Sequence, residues 1–523
     1  MNQLNENDMN QLVKPADFVA GSSAACVGVT GSEPRTGTTQ TDDGAPPKLS
    51  LKQYLAEFMM VPGRAKAALI GSLLLVAMGP AGLSALTPFV VPAFAMKTGA
   101  PLPLAMLIFA TLPLILGPLV LPLAGRWADQ LGVRRVALPA IILYAILTGI
   151  VPFFAGTTWL LGTLLVLASI SGFSASLGIA FKVISEWFPE HRGVGFGLIG
   201  VASSLFSAVF SPLLQWLVNG NAAVSLSMMP GVNGAAPSSA HRSLDGAVPA
   251  LDGNLAAVHG GLSAVNPGVF TGFGWDGTYH LIAIAIAVIG IPAVLWLISE
   301  PKPTPVVTMP KTVDVNLPGV PFKKAIPTRA WIFITLFLIL SAAGPIAMRM
   351  TAVDFYGQSG IDPATVSLAL SVLFSTSVIG LLAAGAVLDR ASHPWVVAAL
   401  LATVPVGLAL ALVNTGSVVL LYVSMAFLGF ASGAESTLGP TLIARYFGLK
   451  SFAALQGLTL AITSPILALS PFLVTVIKAA SGSYAVPLLI LTGSGVIAVI
   501  LAALLPKYPR PWVGVVENSD PLS

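Results

Sequence analysis

The chain has 523 residues, of which 55% are hydrophobic and 9% charged, with a formal net charge of +4. A soluble domain carries roughly 25% charged residues, so a water-soluble globular protein is excluded, and the small positive excess needs no nucleic acid to explain it. The only cysteine is Cys26, which excludes an intramolecular disulfide and a Cys-ligated metal site.

Residues 1–65 are polar, rich in Asn, Thr, Gly and Asp, and lack the basic-then-apolar order of a signal peptide. They read as a disordered tail. Beyond them, a hydrocarbon core ~30 Å thick needs about 20 apolar residues per helix. Twelve stretches reach that length: 67–92, 101–124, 136–155, 158–184, 195–218, 279–299, 330–356, 364–388, 395–413, 417–444, 453–478 and 484–506. None alternates with period two, which disfavours a β-barrel. The fold class is therefore an all-α membrane protein with twelve transmembrane helices in two pseudo-symmetric six-helix bundles. Residues 66–299 form the first half and 330–506 the second, with a linker at 300–329 and a tail at 507–523.

Charge sets the orientation. Of the 25 Lys and Arg residues, Lys97, Arg242 and Lys478 fall on one side and Arg349 inside a span, which leaves 21 on the side of the termini. The positive-inside rule places both termini in the cytoplasm, as expected of a multi-pass protein of a cell or inner membrane. The long segment 219–278 then lies outside. It holds His241 and His259, 18 residues apart without Cys or paired carboxylates, and reads as a solvated linker rather than a metal site.

A repeat of about 260 residues runs through the chain. Gly125 and Asp129 are echoed by Gly385 and Asp389, and Trp187-Phe188 by Tyr446-Phe447. Ser211-Pro212 is matched by Ser470-Pro471, and Gly79-Pro80 by Gly344-Pro345. Four pairs in one order point to a six-plus-six duplication.

The stretch GRWADQLGVRR (125–135) gathers Arg126, Asp129, Arg134 and Arg135 between two apolar runs. It resembles the signature of loop 2–3 in the major facilitator superfamily, with Gly125, Asp129, Gly132, Arg134 and Arg135 matching and Gln130 departing. GAVLDR (385–390) keeps Gly385, Asp389 and Arg390 as a second copy. EWFPEHRGVGFG (186–197) and RYFGLKSFAALQG (445–457) are similar to the monocarboxylate and oxalate–formate branches, although span 8 lacks the Arg those carriers place there. The resemblance covers about 65–507. It implies a conformational gate in which this loop latches the two halves on the cytoplasmic side and governs their rocking. It also implies that spans 1, 4, 7 and 10 line a central cavity, and it favours a monomer. Read directly, Gly125 permits close approach or a bend, Gly132 a turn with positive φ, and Asp129 a charge-assisted contact. Setting topology is the plainer role for the same charges.

Transporters of this design bind cargo near the midplane, where helices are broken by Gly or Pro. The expected breaks are Gly79-Pro80 in span 1 and Gly344-Pro345 in span 7. An ionisable residue at helix centre costs ~2.5–3.5 kcal/mol on insertion scales and usually faces a cavity or partner. Arg349 has three readings: anchor for a substrate carboxylate, ion pair with Glu435, or interfacial snorkelling. Glu435, on a stripe with Ser424, Ser432 and Gly439, is the candidate proton carrier or polar substrate contact, or else a structural pair. Ser84, Ser341, Tyr356, Ser169, Ser176 and Ser432 complete the candidate substrate contacts. Lys182 and Glu186 read as a surface pair.

These features point to a secondary transporter of a small organic anion by alternating access, with proton symport. Its partners are the anion, the proton and the bilayer, with no nucleic acid and no cofactor. Efflux of amphipathic compounds is the rival within transport, and a non-transporting membrane sensor the rival outside it. No HExxH, GxSxG or phosphate-loop motif suggests an enzyme.

Overall fold

The computed structural model describes residues 61–188, 192–220, 272–299, 319–391, 393–448 and 450–509. The tail at 1–60, most of the 219–278 segment, the linker at 300–318 and residues 510–523 lie outside the described residues.

Among the described residues twelve helical spans follow one another, with the bent first pair taken as one. The first, α1, is a bent pair, Gly63–Met78 and Pro80–Thr98, with 43° between its segments. Next come α2 (Leu102–Leu131), α3 (Val133–Phe154), α4 (Thr158–Trp187), α5 (Arg192–Asn219) and α6 (Gly274–Leu297). The second half comprises α7 (Arg329–Gly357), α8 (Pro363–Arg390), α9 (Trp395–Leu412), α10 (Val418–Phe447), α11 (Phe452–Ser481) and α12 (Ala485–Ala503).

Short polar residues start several of these helices by satisfying free backbone donors. Asp362 accepts from Ala364 and Thr365 at 2.8 and 3.1 Å, with Pro363 in the first turn of α8. Ser417 and Thr328 cap α10 and α7 in the same way. The outer faces are apolar, with Leu119, Val209, Ile284, Val288, Ile379 and Leu382 exposed. Exposed Trp159, Trp296 and Trp395 lie at helix ends, where amphipathic rings favour a membrane–water interface. Length, composition and this belt make the chain a multi-pass membrane protein.

Small residues let helices meet backbone to backbone. A Cβ on Gly429 or Gly433 of α10 would overlap the carbonyls of Leu373 or Ser377 on α8. In the first half, the bend of α1 nests on a defect in α4. Gly79 lies against Ser176, where α4 leaves helical geometry (φ −109°, ψ −82°), and Gly172 lies against Pro80.

The expected second break does not form. Pro345 sits inside the continuous helix Arg329–Gly357. A proline removes one backbone donor, and here neighbouring turns carry the helix through. Gly344 instead gives room to Leu408 of α9.

The stretch 125–135 is not a loop. Residues 125–131 continue α2, Gly132 alone turns the chain at φ 89°, and Val133 starts α3. Arg126, Ala128, Gln130 and Leu131 are good helix formers, so only Gly132 marks the end.

Val320 donates to the Phe447 carbonyl at 2.8 Å, so the segment leading into α7 lies beside the end of α10. This end, with Asp129, Arg134, Lys182, Arg390 and Arg445, is the basic end; the opposite one is the far end. Contacts between the halves gather toward the far end. The Thr87–Thr98 segment of α1 packs on α7, and α2 packs on α11 along residues 102–116. The α5–α8 seam extends further, from Ser211, which donates to the Ser367 carbonyl at 3.2 Å, to Gly200 facing Leu381. The first segment of α1 packs on α4, α5 and α6 of its own half.

Candidate functional site: a buried cation, a buried acid and a basic-end latch

Arg349 lies on α7, eight residues before its end at Gly357. Its side chain is half-buried, and its Nε is fully buried with no hydrogen-bond partner. The guanidinium lies over the ring of Phe374 on α8, 5.8 Å from the centroid. An aromatic face attracts a cation without consuming its N–H donors, so Phe374 steadies the charge and leaves its hydrogen-bonding capacity free. Sequence pattern gave no sign of Phe374, because the contact joins two helices.

Glu435 is half-buried on α10 and forms no ion pair with Arg349. The helix register explains this. Tyr356 meets Ser424 at 3.4 Å near the far end, and Gly439 lies against Leu338 nearer the basic end, so α7 and α10 run antiparallel. From the first contact Arg349 is seven residues down and Glu435 eleven; from the second they are eleven and four residues up. At ~1.5 Å per residue, their heights differ by roughly 6–10 Å. The two charges occupy separate levels.

The other candidate contacts are placed less openly. Tyr356 is fully buried with its hydroxyl on Ser424, which donates to the Gly407 carbonyl at 3.0 Å. Ser341 is 1% exposed and turned back to Leu338. Ser176 is buried and donates to the Gly172 carbonyl. Ser169 donates to the Pro113 carbonyl at 2.8 Å, bridging α4 and α2. Ser432 is half-buried on α10. Ser84 lies in a short 3-10 turn of α1, Ser84–Leu86, and donates to Ala81. Ser84 and Ser169 share one cavity inside the first half; the others do not border it. Asp354 accepts from Tyr484 at 2.6 Å and from Lys478 at 3.4 Å, tying α7 to the α11–α12 corner. Burial, with the Asp354 carboxylate beside it, pushes the Tyr484 phenol above its ordinary value, so it remains a donor.

At the basic end Lys182 is the hub. Its Nζ lies 2.8 Å from Asp129, 3.7 Å from Glu186 and 2.7 Å from the Ala128 carbonyl. Sequence reading paired Lys182 with Glu186 alone. Arg134 donates to the Ile298 carbonyl at 2.6 Å, closing the end of α6. Arg135 and Arg390 are exposed, and the side chain of Asp389 lies outside the described residues. A Cβ on Gly125 would meet nothing, so this face of α2 is unpacked. Asp129 is thus held within its own half in this structure.

Residues 70–233 match the profile of the Major Facilitator Superfamily. The chain is also similar to a bacterial homolog of the human lysosomal transporter Spinster in its inward-facing, unoccupied conformation. There the TM-score is 0.58 at 14% identity, covering 84% of this chain and 96% of that one. The inward-facing, occupied form of that homolog gives a TM-score of 0.56 at 14% identity, covering 83% and 94%. The fold is the major facilitator fold. No curated protein matches the sequence. Within this fold the halves meet mainly toward the far end.

Proposed function

We propose that the chain is a secondary transporter that moves a small organic anion by alternating access, coupled to proton symport, with Arg349 as the carboxylate anchor. The observation that carries this reading is the Arg349 guanidinium. It lies inside a span, has a buried Nε without a partner, and rests on Phe374 rather than on a carboxylate. A buried cation without a counter-ion is costly in an apolar medium, and an anionic cargo would remove that cost. Glu435, at another level of α10 and free of Arg349, is the proton carrier in this reading. The phrases at 186–197 and 445–457, similar to monocarboxylate and oxalate–formate carriers, support a monocarboxylate-like cargo.

The basic end faces the cytoplasm in this proposal, with the protein a monomer in a cell or inner membrane. Lys182 holds Asp129 while that end is open; when it closes, Asp129 latches across to the second half. The deciding measurement is uptake of labelled aliphatic and aromatic carboxylates into proteoliposomes, with and without an inward proton gradient. Saturable, gradient-stimulated uptake of a carboxylate is expected. Gradient-independent movement of neutral amphipaths alone would favour the efflux reading.

A further inference from the structure

Inside the first half lies a cavity of about 90 Å³, bounded by α1, α2, α3, α4 and α6. Tyr144 and Thr148 of α3 border it, each 5% exposed, as do Thr87 of α1, 9% exposed, and Tyr279 of α6. None of these four hydroxyls has a hydrogen-bond partner among the described residues. Each is able to donate and accept, and a hydroxyl held away from bulk water without a partner is costly. Ser84 and Ser169 add two further hydroxyl oxygens. No charged side chain borders the space.

The backbone around the cavity is irregular on two sides. The 3-10 turn Ser84–Leu86 follows the bend of α1, and α2 widens to a π-helical turn over Leu107–Thr111, whose Phe109 and Ala110 border the space. Such turns in membrane helices recur at functional sites. The surrounding elements therefore open room for polar contacts where regular helices would close it.

We propose that this cavity is a binding site for a small neutral polyol of two or three carbons, separate from the Arg349 anchor. The chemistry follows from the walls. An anion would lose its hydration with no cation to replace it. A hydrocarbon would leave four hydroxyls unpaired. A molecule bearing several hydroxyls gives each wall hydroxyl a partner, and a space of about 90 Å³ admits one of glycerol size.

Saturation-transfer NMR on the purified full-length chain in detergent tests this, with glycerol as probe and sorbitol as the oversized control. Glycerol should give a saturable signal and sorbitol none. The double variant Tyr144→Phe with Thr148→Val keeps the shape and removes two hydroxyls; it should weaken the glycerol signal at least five-fold. Ala168→Leu, which fills the space from α4, should abolish it. Arg349→Ala should leave it unchanged, which separates this site from the proposed anion site. No saturable signal in the wild-type protein overturns the proposal, and so does an undiminished signal in the double variant at unchanged melting temperature. If Ala168→Leu fails to fold, the double variant decides. Water alone as the occupant would appear as a wild-type protein that glycerol does not compete into, which also overturns it.

Discussion

Lys182 lies 2.8 Å from Asp129 and donates at 2.7 Å to the carbonyl of Ala128, the residue before it. The second half repeats part of this arrangement. Arg445 donates to the Ala391 carbonyl at 3.0 Å, and both bonds span 54 residues. A basic residue near the end of the fourth helix of each half thus holds the end of the second. The repeat read from the sequence extends to a hydrogen bond that no residue identity announced, since one copy uses Lys and the other Arg.

That bond leads to the first prediction. Asp129 is 70% exposed and Lys182 15%, so their pair is partly screened and worth about 1 kcal/mol at most. Asp129→Asn should preserve membrane abundance while changing the rate of the conformational cycle about two- to five-fold. Lys182→Met should free the carboxylate to latch elsewhere and reduce the basic-end-open population. Site-directed labelling at the basic end reads both. Identical labelling rates in wild type and both variants would return these charges to setting topology.

The second prediction uses Gly125, where a Cβ would meet nothing in the present state. Leucine recovers most of the roughly 0.8–1 kcal/mol that separates glycine from alanine in a helix, so Gly125→Leu should insert normally and melt no lower. If the halves close at this end, the added side chain stands in the way. Transport should then fall at least ten-fold with abundance unchanged. Wild-type transport in this variant would show that the two halves never approach at Gly125.

The third prediction concerns the far end, where Ser211 donates to the Ser367 carbonyl across the halves. Cys26 is the only native cysteine, so a Cys26→Ser background is simple to make. Ser211→Cys with Ser367→Cys should cross-link on oxidation, hold the far end shut and stop transport, with reductant restoring it. Full transport by quantitatively cross-linked protein would mean that this seam does not open.

The twelve spans were legible because crossing hydrocarbon demands about 20 apolar residues whatever the neighbours. Helix ends were not. Residues 125–131 looked like a loop for their charges, yet they prolong α2 until Gly132. The two Gly-Pro pairs looked equivalent, but α1 bends at its pair against a defect at Ser176, while α7 passes through its pair beside Leu408. Spacing along one helix records which residues share a face, not what packs across it. For the same reason Arg349 and Glu435 were legible as charges in apolar runs, whereas Phe374 beneath Arg349 and the height difference between the two charges were not.

The fourth prediction separates coupling from binding. In the proposed mechanism Glu435 takes and releases a proton and Arg349 holds the cargo, and their separate levels let each be removed alone. Glu435→Gln should abolish uphill accumulation while counterflow exchange continues within about two-fold of wild type. Accumulation at the wild-type level under a proton gradient would remove Glu435 from the coupling step.

The last prediction concerns Arg349, on which the anion reading depends. Two parallel N–H donors of a guanidinium match the two oxygens of a carboxylate, a geometry that an ammonium cannot copy. Phe374 holds the positive charge by its face and leaves the donors available, and the Nε has no other partner. Arg349→Lys should therefore weaken binding of the carboxylate, and Arg349→Ala should cost on the order of 2–5 kcal/mol, the range for losing one member of a buried charge pair. At ~1.4 kcal/mol per tenfold, that is roughly 30-fold to several thousand-fold in affinity. Phe374→Leu should have a smaller effect, because it removes the support and keeps the charge. Amide analogues of the cargo should bind wild type poorly, since they lack the charge that the guanidinium neutralises. Calorimetry on purified, monodisperse variants measures all of these. If Arg349→Ala binds the carboxylate as tightly as wild type, Arg349 is a structural charge packed on Phe374, and the cargo must be neutral or held elsewhere.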